Sequence, residues 1–346
     1  MKMNPLGRTG VSISRICLGT MTFGQQNNEA EAHAQLDMAA DHGVNLLDAA
    51  EMYPFPSTVE LYGRTEEIVG SWLAKPGNRQ RMHVATKITG PGSRFTHIRD
   101  GDLKFNRTHL AQAVDDSLKR LGIDCIDLYQ THFPERPANY FGKLGYAHDE
   151  AASWTPYEDT LEAMDELIAA GKVRAFGVSN ETAWGLMALL GLSDQNGHAR
   201  VAAIQNPYSL INRTFEVGLA EPAIREDCGL LAYSPLGFGA LTGKYLDDAL
   251  PEGSRQSLFP SFTRNFKAKG IEATARYVAL AREHGLQPSQ MALAWVHSRR
   301  FLTSTIIGAT TLDQLKSNLE SDALVLSDEV IAGIEAIHTE IPNPAP

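Results

Sequence analysis

The sequence predicts an α/β fold of the (β/α)8 TIM-barrel class, with an N-terminal β-hairpin and long loops after strands 4 and 7. Eight short apolar runs rich in Val, Ile and Leu occur along the 346 residues, and a longer segment with helical periodicity follows each run. No change in composition divides the chain. A single domain over residues 1–346 is therefore expected.

The predicted strands are bounded by recognisable signals. In chain order they cover residues 16–20, 45–50, 82–87, 125–132, 173–179, 202–206, 230–235 and 304–309. Four of them follow a glycine at a position where a helix would end with positive φ, namely Gly43, Gly122, Gly171 and Gly229. This alternation of helix, glycine and apolar strand is typical of parallel βα units.

The segments outside the eight units also have predicted places. Residues 6–14 read LGRTGVSIS and predict a hairpin around Thr9 and Gly10, which we expect to cover the barrel end opposite the active face. Excess residues follow strand 4, at 134–156, and strand 7. Both loops leave the carboxyl ends of strands, where barrel enzymes build their substrate sites.

Composition limits the partners that the surface can attract. The net charge is -10 and the isoelectric point about 5.6, so the average surface repels nucleic acid and anionic membranes. Cys17, Cys125 and Cys228 are widely spaced in apolar stretches, which favours reduced thiols over a disulfide framework or a metal site. No membrane-spanning apolar run or signal peptide is present. We expect a cytoplasmic protein without a metal, monomeric or homo-oligomeric, whose partner is a small molecule.

Polar side chains converge where the predicted strands end. Strand 2 carries Asp48, and Tyr53 follows it. Strand 3 ends at Lys87, and strand 4 ends at His132. Taken alone, Lys87 and Asp48 each have an ordinary explanation, because a lysine often closes a strand in solvent and an aspartate often caps the next helix. Together they would be costly to bury without pairing, so we take them as the candidate catalytic residues.

These four side chains suit the reduction of a carbonyl group. A tyrosine phenol has a pKa of about 10 in water. The ammonium of Lys87, itself held by Asp48, is expected to favour the phenolate of Tyr53 and so to lower this pKa. A neutral His132 would donate a hydrogen bond to the carbonyl oxygen. No side chain supplies a hydride, so the reaction requires a nicotinamide cofactor.

A second group of residues is expected to bind that cofactor. No GxGxxG motif follows a strand, so a Rossmann mode is not predicted. Amide and hydroxyl groups suited to a carboxamide follow strands 5 and 6, at Ser179, Asn180, Gln205 and Asn206. Tyr233 in strand 7 offers a ring against which a nicotinamide would stack.

Cations and a helix start provide sites for phosphates. The stretch GATT after strand 8 opens a helix whose backbone N–H groups and dipole attract anions. It includes Gly308, Ala309 and Thr310, while the loop after strand 7 adds Lys244, Arg255 and Arg264. The simpler alternatives are that Thr310 or Thr311 only caps the helix and that the loop cations are solvated.

Eight stretches, in one order, span nearly the whole chain. They read LGTMTFG, NLLDAAEMY, ATK, DLYQTH, GKVRAFGVSN, IQNPYS, AYSPLGFGALTGKY and IIGATTLDQL. In this order they resemble the signatures of the aldo-keto reductase superfamily, and most closely its bacterial Tas-like branch. The resemblance implies a barrel that binds NADPH/NADP+ without a Rossmann fold, with Tyr53 as general acid and His132 orienting the carbonyl. Asp48 and Lys87 would tune Tyr53.

The resemblance also assigns the cofactor contacts. It implies that the loop from Ser234 to Lys244 holds the pyrophosphate and that Arg255, Gln314 and Asn318 hold the adenosine end. Together with the residues singled out above, the full predicted set of cofactor contacts is Gly19, Thr20, Met21, Ser179, Asn180, Gln205, Tyr233, Ser234, Pro235, Leu236, Gly239, Leu241, Lys244, Arg255, Arg264, Gly308, Ala309, Thr310, Gln314 and Asn318. The chain departs from the family pattern at Pro54, where glycine is common, and at Ser317, where many relatives carry an acidic residue.

The walls of the substrate site are predicted from aromatic residues. They are Phe23, Tyr140, Phe141, Trp154 and Phe262. They favour a small or medium aldehyde or ketone, aromatic or dicarbonyl in type. Two other functions stay open at this point: a Schiff-base lyase that uses Lys87, and a cofactor-binding regulatory subunit with little turnover, as in the potassium-channel β subunits that resemble the same superfamily.

Overall fold

Eight parallel strands close into a barrel in the computed structural model, which describes residues 1–346. The strands of the chain are β1 (Met3–Pro5), β2 (Ser12–Ser14), β3 (Ile16–Gly19), β4 (Leu46–Asp48), β5 (His83–Ile88), β6 (Leu128–Thr131), β7 (Phe176–Ser179), β8 (Val201–Pro207), β9 (Gly229–Tyr233) and β10 (Leu302–Ile307). The barrel contains β3 to β10 in chain order, and β10 closes it by pairing with β3. Because these strands coincide with the eight predicted ones, the predicted (β/α)8 fold is confirmed.

Twelve α-helices accompany the strands. They are α1 (Glu29–Asp41), α2 (Arg64–Leu73), α3 (Arg107–Leu121), α4 (Tyr157–Ala169), α5 (Ala183–Asn196), α6 (Phe215–Gly218), α7 (Ala220–Arg225), α8 (Arg255–Leu258), α9 (Ala268–Glu283), α10 (Pro288–His297), α11 (Leu312–Glu320) and α12 (Asp328–Glu340). The start of α1 is set locally, because Asn28 caps the backbone N–H of Glu31 and the Glu31 carboxylate accepts from the Asn28 N–H. None of the helices combines the length and apolar character that a membrane span requires.

Three of the four predicted helix-ending glycines have positive φ. The angles are 83° at Gly43, 63° at Gly122 and 74° at Gly171. The prediction for Gly229 is wrong, because this residue lies inside β9 and the positive φ, 51°, falls on Asp227. Gly229 has another steric role: a Cβ there would lie 2.0 Å from Thr303 Oγ1, so only glycine allows this approach of the neighbouring segment.

The N-terminal hairpin closes the amino end of the barrel. β1 and β2 pair antiparallel, with Asn4 opposite Ile13. Leu6 and Ile13 are buried against inward side chains near the strand starts, such as Leu46, the first residue of β4. The predicted position of the hairpin is confirmed, and the opposite face remains open for a binding site.

Acid sensitivity of the fold is expected from His297, the last residue of α10. Burial, together with the nearby charge of Arg15, lowers the pKa of this imidazole from 6.5 to about 4. The unfolded chain therefore takes up a proton below about pH 6.5 that the folded chain does not accept until about pH 4. The contribution to stability is complete above the unfolded pKa and is lost as the pH falls toward the folded one.

We expect His297→Gln to remove about 3 kcal/mol of the stability difference between pH 7 and pH 4. Urea unfolding of the wild type and the variant at both pH values measures this difference. The control is His42→Gln, since His42 is exposed. An equal pH dependence in the wild type and His297→Gln would contradict the prediction.

Candidate active site

The carboxyl ends of the barrel strands open into a cleft of about 1140 Å³. The predicted residues that line it are Gly19, Thr20, Met21, Asp48, Tyr53, His132, Tyr140, Phe141, Ser179, Asn180, Gln205, Tyr233, Ser234, Pro235, Leu236, Gly239, Lys244, Arg255, Phe262, Arg264, Gly308, Ala309, Thr310, Gln314 and Asn318. Lys87 does not reach the surface of the cleft and lies just beneath it, against Asp48. The fold therefore gathers residues from all parts of the chain on one face.

Besides Lys87 and Asn206, three predicted site residues lie outside the cleft. Phe23 is fully buried in the apolar core, and the Leu241 side chain is likewise directed into the core. Trp154 packs at the end of its loop, where the chain returns to the helical layer, with ring centroids 5.0 Å from Tyr157 and 6.4 Å from Trp184. Packing therefore overrides the expected roles of these side chains in substrate or cofactor binding.

The centre of the site is a buried ion pair. Lys87 Nζ lies 2.7 Å from Asp48 Oδ2 and donates to the Ala49 carbonyl at 2.8 Å. Asp48 accepts a further hydrogen bond from Gln205 Nε2 at 2.8 Å. These bonds offset the loss of solvation of two charges inside the barrel. Gln205 thus supports the ion pair as well as lining the cleft.

Tyr53 lies directly over this ion pair. Lys87 Nζ is 5.1 Å from the centroid of the Tyr53 ring. Burial, and then the Asp48 charge, raise the pKa of Tyr53 above its ordinary value, while Arg255 opposes the shift. The sequence predicted a lowered pKa; the net direction is opposite because burial of the phenol, together with the charge of Asp48, outweighs the opposing charge of Arg255. Tyr53 therefore keeps its proton at neutral pH, which is the state that a general acid needs.

His132 provides a neutral donor beside the phenol. Its ring lies 5.6 Å from the Tyr53 ring, centroid to centroid, at an interplanar angle of 80°. Burial and the charge of Lys87 lower the pKa of His132 well below its ordinary value, so the imidazole is neutral at physiological pH. A neutral imidazole and a protonated phenol are both able to donate to one carbonyl oxygen.

The ends of β7 and β9 are tied together beside these residues. Asn180 donates from Nδ2 to the His132 carbonyl at 2.8 Å and accepts from the Tyr233 hydroxyl at 2.7 Å. Burial raises the pKa of Tyr233 to about 12, with Arg264 opposing the shift. Asn206, expected with this group, donates instead to the Glu181 carbonyl and does not line the cleft.

Two of the arginines in the cleft, Arg255 and Arg264, are partly buried and have no carboxylate partner. The guanidinium carbon of Arg255 lies 5.1 Å from the ring centroids of both Phe238 and Phe262, and burial lowers the pKa of Arg255 to about 10, so it stays charged at neutral pH. The Nε atoms of Arg255 and Arg264 are buried without hydrogen-bond partners. Because the protein has a net charge of -10, unneutralised cations in its main cleft mark a site for an anionic group.

At the start of α11, the predicted phosphate site is partly capped by the protein itself. Gln314 Oε1 accepts from both the backbone N–H and the hydroxyl of Thr310, at 3.0 Å each. Thr311, rather than Thr310, caps the helix through its side chain. Asn318 Nδ2 donates to the Gly308 carbonyl at 3.3 Å. These contacts fix the loop between β10 and α11 without closing the cleft.

Several apolar residues of the cleft were missed by the sequence reasoning. They are Met52, Phe55, Phe95, Phe133 and Phe238. A signal existed for Phe133, which directly follows His132, and for Phe55, two residues after Tyr53. Phe95 lies in the loop between β5 and α3, residues 89–106, whose unusual length was itself a signal in the sequence. Phe95, Phe133 and Tyr140 pack in the same apolar cluster as Tyr53, with Tyr140 stacked on Phe133 at 5.6 Å, and form an aromatic wall next to Tyr53.

The comparison with known proteins agrees with this fold and site. The family model described as Aldo/keto reductase family matches residues 15–339. The chain belongs to the aldo/keto reductase family, and the predicted membership is confirmed.

Three relatives illustrate the range of this similarity. The chain is 51% identical to Protein tas of Escherichia coli (strain K12) over the full length of both. It is 31% identical to the uncharacterized oxidoreductase YrpG of Bacillus subtilis, covering 96% of this chain and 94% of that one. It is 29% identical to the aldo-keto reductase yakc [NADP(+)] of Schizosaccharomyces pombe, covering 92% and 85%. The similarity extends across the barrel in each case.

Proposed function

We propose that the protein is an NADPH-dependent oxidoreductase that reduces aldehydes or ketones to alcohols. The observation that carries the proposal is the arrangement of Tyr53 over the Lys87–Asp48 ion pair, with neutral His132 beside it. All four belong to the open face of a barrel whose family is shown by the comparisons. Turnover of aldehydes and ketones and binding of NADPH can be tested separately.

The groups that line the cleft would suit nicotinamide adenine dinucleotide phosphate. Arg255 and Arg264 would pair with its phosphates, since neither has a carboxylate partner in the protein. Tyr233 and Asn180 line the part of the cleft next to His132 and would hold the nicotinamide ring and its carboxamide. The printed name of the yeast relative includes NADP(+), which supports the same choice of cofactor.

Proton transfer follows from the residues themselves. When bound, the reduced nicotinamide would supply the hydride. Tyr53 and His132 would donate hydrogen bonds to the substrate oxygen and stabilise the negative charge that grows on it. Tyr53 would then give its proton to that oxygen, while Lys87, kept in place by Asp48, stabilises the phenolate that remains. The aromatic wall beside Tyr53 would exclude water from the reacting carbonyl.

The Schiff-base alternative is less well supported by the position of Lys87. Its Nζ atom already contacts Asp48 and the Ala49 carbonyl, and its side chain has no exposed surface. A nucleophilic lysine must reach a substrate carbonyl as a free amine. Trapping of a substrate on Lys87 by borohydride would overturn the reductase proposal.

Turnover separates the enzyme from a regulatory subunit. We expect the purified protein alone to oxidise NADPH when supplied with members of a panel of aldehydes and ketones, followed by the loss of absorbance of the reduced nicotinamide. A protein that binds NADPH but turns over no member of the panel would support the regulatory alternative instead.

We expect Arg255→Ala to weaken NADPH binding by about 10- to 100-fold, because the variant loses a charge-assisted contact to phosphate. Fluorescence titration with NADPH, and separately with NADH, measures the effect. A larger loss for NADPH would assign Arg255 to the additional phosphate, and an equal loss for both would assign it to the pyrophosphate.

Arg299→Ala is the matched control for this titration. Arg299 also stacks on an aromatic ring, 4.7 Å from the Trp295 centroid, but lies outside the cleft. Binding of NADPH with equal affinity by the wild type and Arg255→Ala would contradict the assignment of Arg255.

A further inference from the structure

A second buried ion pair lies beside Tyr53 and takes no part in the chemistry described above. We propose that Glu51 and Arg99, which form it, are positioning residues that fix the Tyr53 phenol relative to Lys87 and His132. The inference rests on the proposed reductase function. The side chains of Glu51 and Arg99 contact neither side chain of the Lys87–Asp48 ion pair, and neither residue lines the open cleft.

Glu51 connects two loops of the active face. It lies between Asp48 and Tyr53 in the chain, and its side chain has no exposed surface. Its carboxylate accepts from the backbone N–H of Thr89 at 2.6 Å, and its own backbone N–H donates to the Lys87 carbonyl at 3.2 Å. One residue therefore holds the Tyr53 segment against the end of the strand that carries Lys87.

Arg99 completes this connection from the other side. Its two terminal nitrogens lie 2.7 and 2.8 Å from the two carboxylate oxygens of Glu51, in a two-point contact, and its side chain is only 4% exposed. The backbone of Arg99 has φ 44°, and the next residue, Asp100, has φ 53°. Side-chain-bearing residues rarely adopt these angles, so contacts such as the ion pair must stabilise the conformation.

The loop held by Arg99 forms the surface on which Tyr53 rests. Phe95, Ile98 and Leu103 of this loop are buried in one apolar cluster with Met52 and Tyr53. Phe95 also lines the cleft. Loss of the ion pair would leave a buried charge without its partner and loosen this loop. The Tyr53 ring would then lose part of the packing that aims its hydroxyl into the cleft.

Misplacement of a catalytic group is known to reduce the rate without a comparable loss of binding. The proposed cofactor contacts come from the ends of β3, β7, β8 and β9 and from the loops after β9 and β10, and none comes from the loop after β5. Disruption of the Glu51–Arg99 pair should therefore lower kcat and leave NADPH affinity unchanged. Substitution of a residue that served stability alone would not lower kcat in the folded protein while leaving NADPH affinity unchanged.

The experiment compares Glu51→Gln with Glu216→Gln. Glu216 also accepts a two-point contact from an arginine, from Nε and Nη2 of Arg213 at 2.8 Å each, but it is partly exposed and lies outside the cleft. We expect Glu51→Gln to lower kcat for carbonyl reduction by about 10- to 100-fold, with an NADPH Kd within about twofold of the wild type. Glu216→Gln should lower the thermal unfolding temperature and leave kcat unchanged in the folded fraction.

Arg99→Lys provides a second variant that retains a positive charge beside Glu51. Lysine supports folding by neutralising the buried carboxylate but cannot make the planar two-point contact. We expect a smaller fall in kcat than in Glu51→Gln, again with NADPH affinity retained. If Glu51→Gln does not fold, the kcat of Arg99→Lys alone decides whether the Glu51–Arg99 pair positions Tyr53.

Each outcome has a defined meaning. Unchanged kcat in folded Glu51→Gln or Arg99→Lys would overturn the inference, and so would an equal fall of kcat in Glu216→Gln. In both cases, turnover by the wild type would leave the proposed function intact. A wild type that binds NADPH but reduces no carbonyl compound would overturn the proposed function and this inference with it.

Discussion

Tyr53→Phe is expected to lower kcat for carbonyl reduction by about 10²- to 10⁴-fold, the range associated with loss of a general acid. The substitution removes one oxygen and leaves the ring, so its packing with His132 and the contact of Lys87 with the ring face are retained. Because the hydroxyl has no hydrogen-bond partner within the protein, its removal leaves no buried polar group unpaired. Steady-state kinetics with NADPH and a carbonyl substrate measure the effect.

NADPH binding separates a chemical defect from a structural one. We expect Tyr53→Phe to bind NADPH as the wild type does in a fluorescence titration, since the proposed phosphate contacts lie elsewhere in the cleft. Tyr146→Phe serves as the control, because Tyr146 is exposed in the loop after β6 and its hydroxyl contacts only His148. Retention of wild-type kcat in Tyr53→Phe would exclude Tyr53 as the general acid.

Lys87→Met is expected to destabilise the protein by about 3–5 kcal/mol, the range for breaking a buried ion pair. The variant leaves the Asp48 carboxylate inside the barrel with its Gln205 contact but without its counter-ion. It should also abolish measurable turnover, because the phenolate of Tyr53 loses its neighbouring cation. Urea unfolding measures the free energy of unfolding, and kinetics on the folded protein measure the activity.

The double variant Asp48→Asn/Lys87→Met tests the cause of this instability. Removing both charges takes away the uncompensated carboxylate, so the double variant should be more stable than Lys87→Met alone. It should remain inactive. If the two substitutions instead add their separate losses of stability, the ion pair is not the source of the effect.

The sequence already predicted the main elements of this site. The alternation of apolar strands and helical segments predicts a barrel, and in a barrel the carboxyl ends of all strands meet. Asp48, Lys87 and His132 could therefore be grouped from their places at the ends of successive strands. Local patterns and the symmetry of the fold are enough for this grouping, and side-chain packing does not enter it.

Other features depended on contacts between distant residues. Phe23 and Trp154 are aromatic, as the walls of a substrate site are expected to be. The Phe23 side chain packs into the core, however, and the Trp154 side chain packs against Tyr157 and Trp184 of the outer helices. The net direction of the Tyr53 pKa shift depends on the balance between burial, Asp48 and Arg255, which a sequence does not reveal. Glu51 attracted no attention in the sequence because its partner, Arg99, lies in another loop.

The sequence by itself determined the barrel, the family resemblance and the four residues proposed to carry the chemistry, because each follows from periodicity or from a contiguous stretch. Only the tertiary structure decided which aromatic residues face the cleft, which arginines lack carboxylate partners and how Glu51 braces the segment of Tyr53. The physical reason is that burial and charge balance are properties of neighbours in space. Side-chain direction and solvation become defined only when the loops of the open face pack against one another.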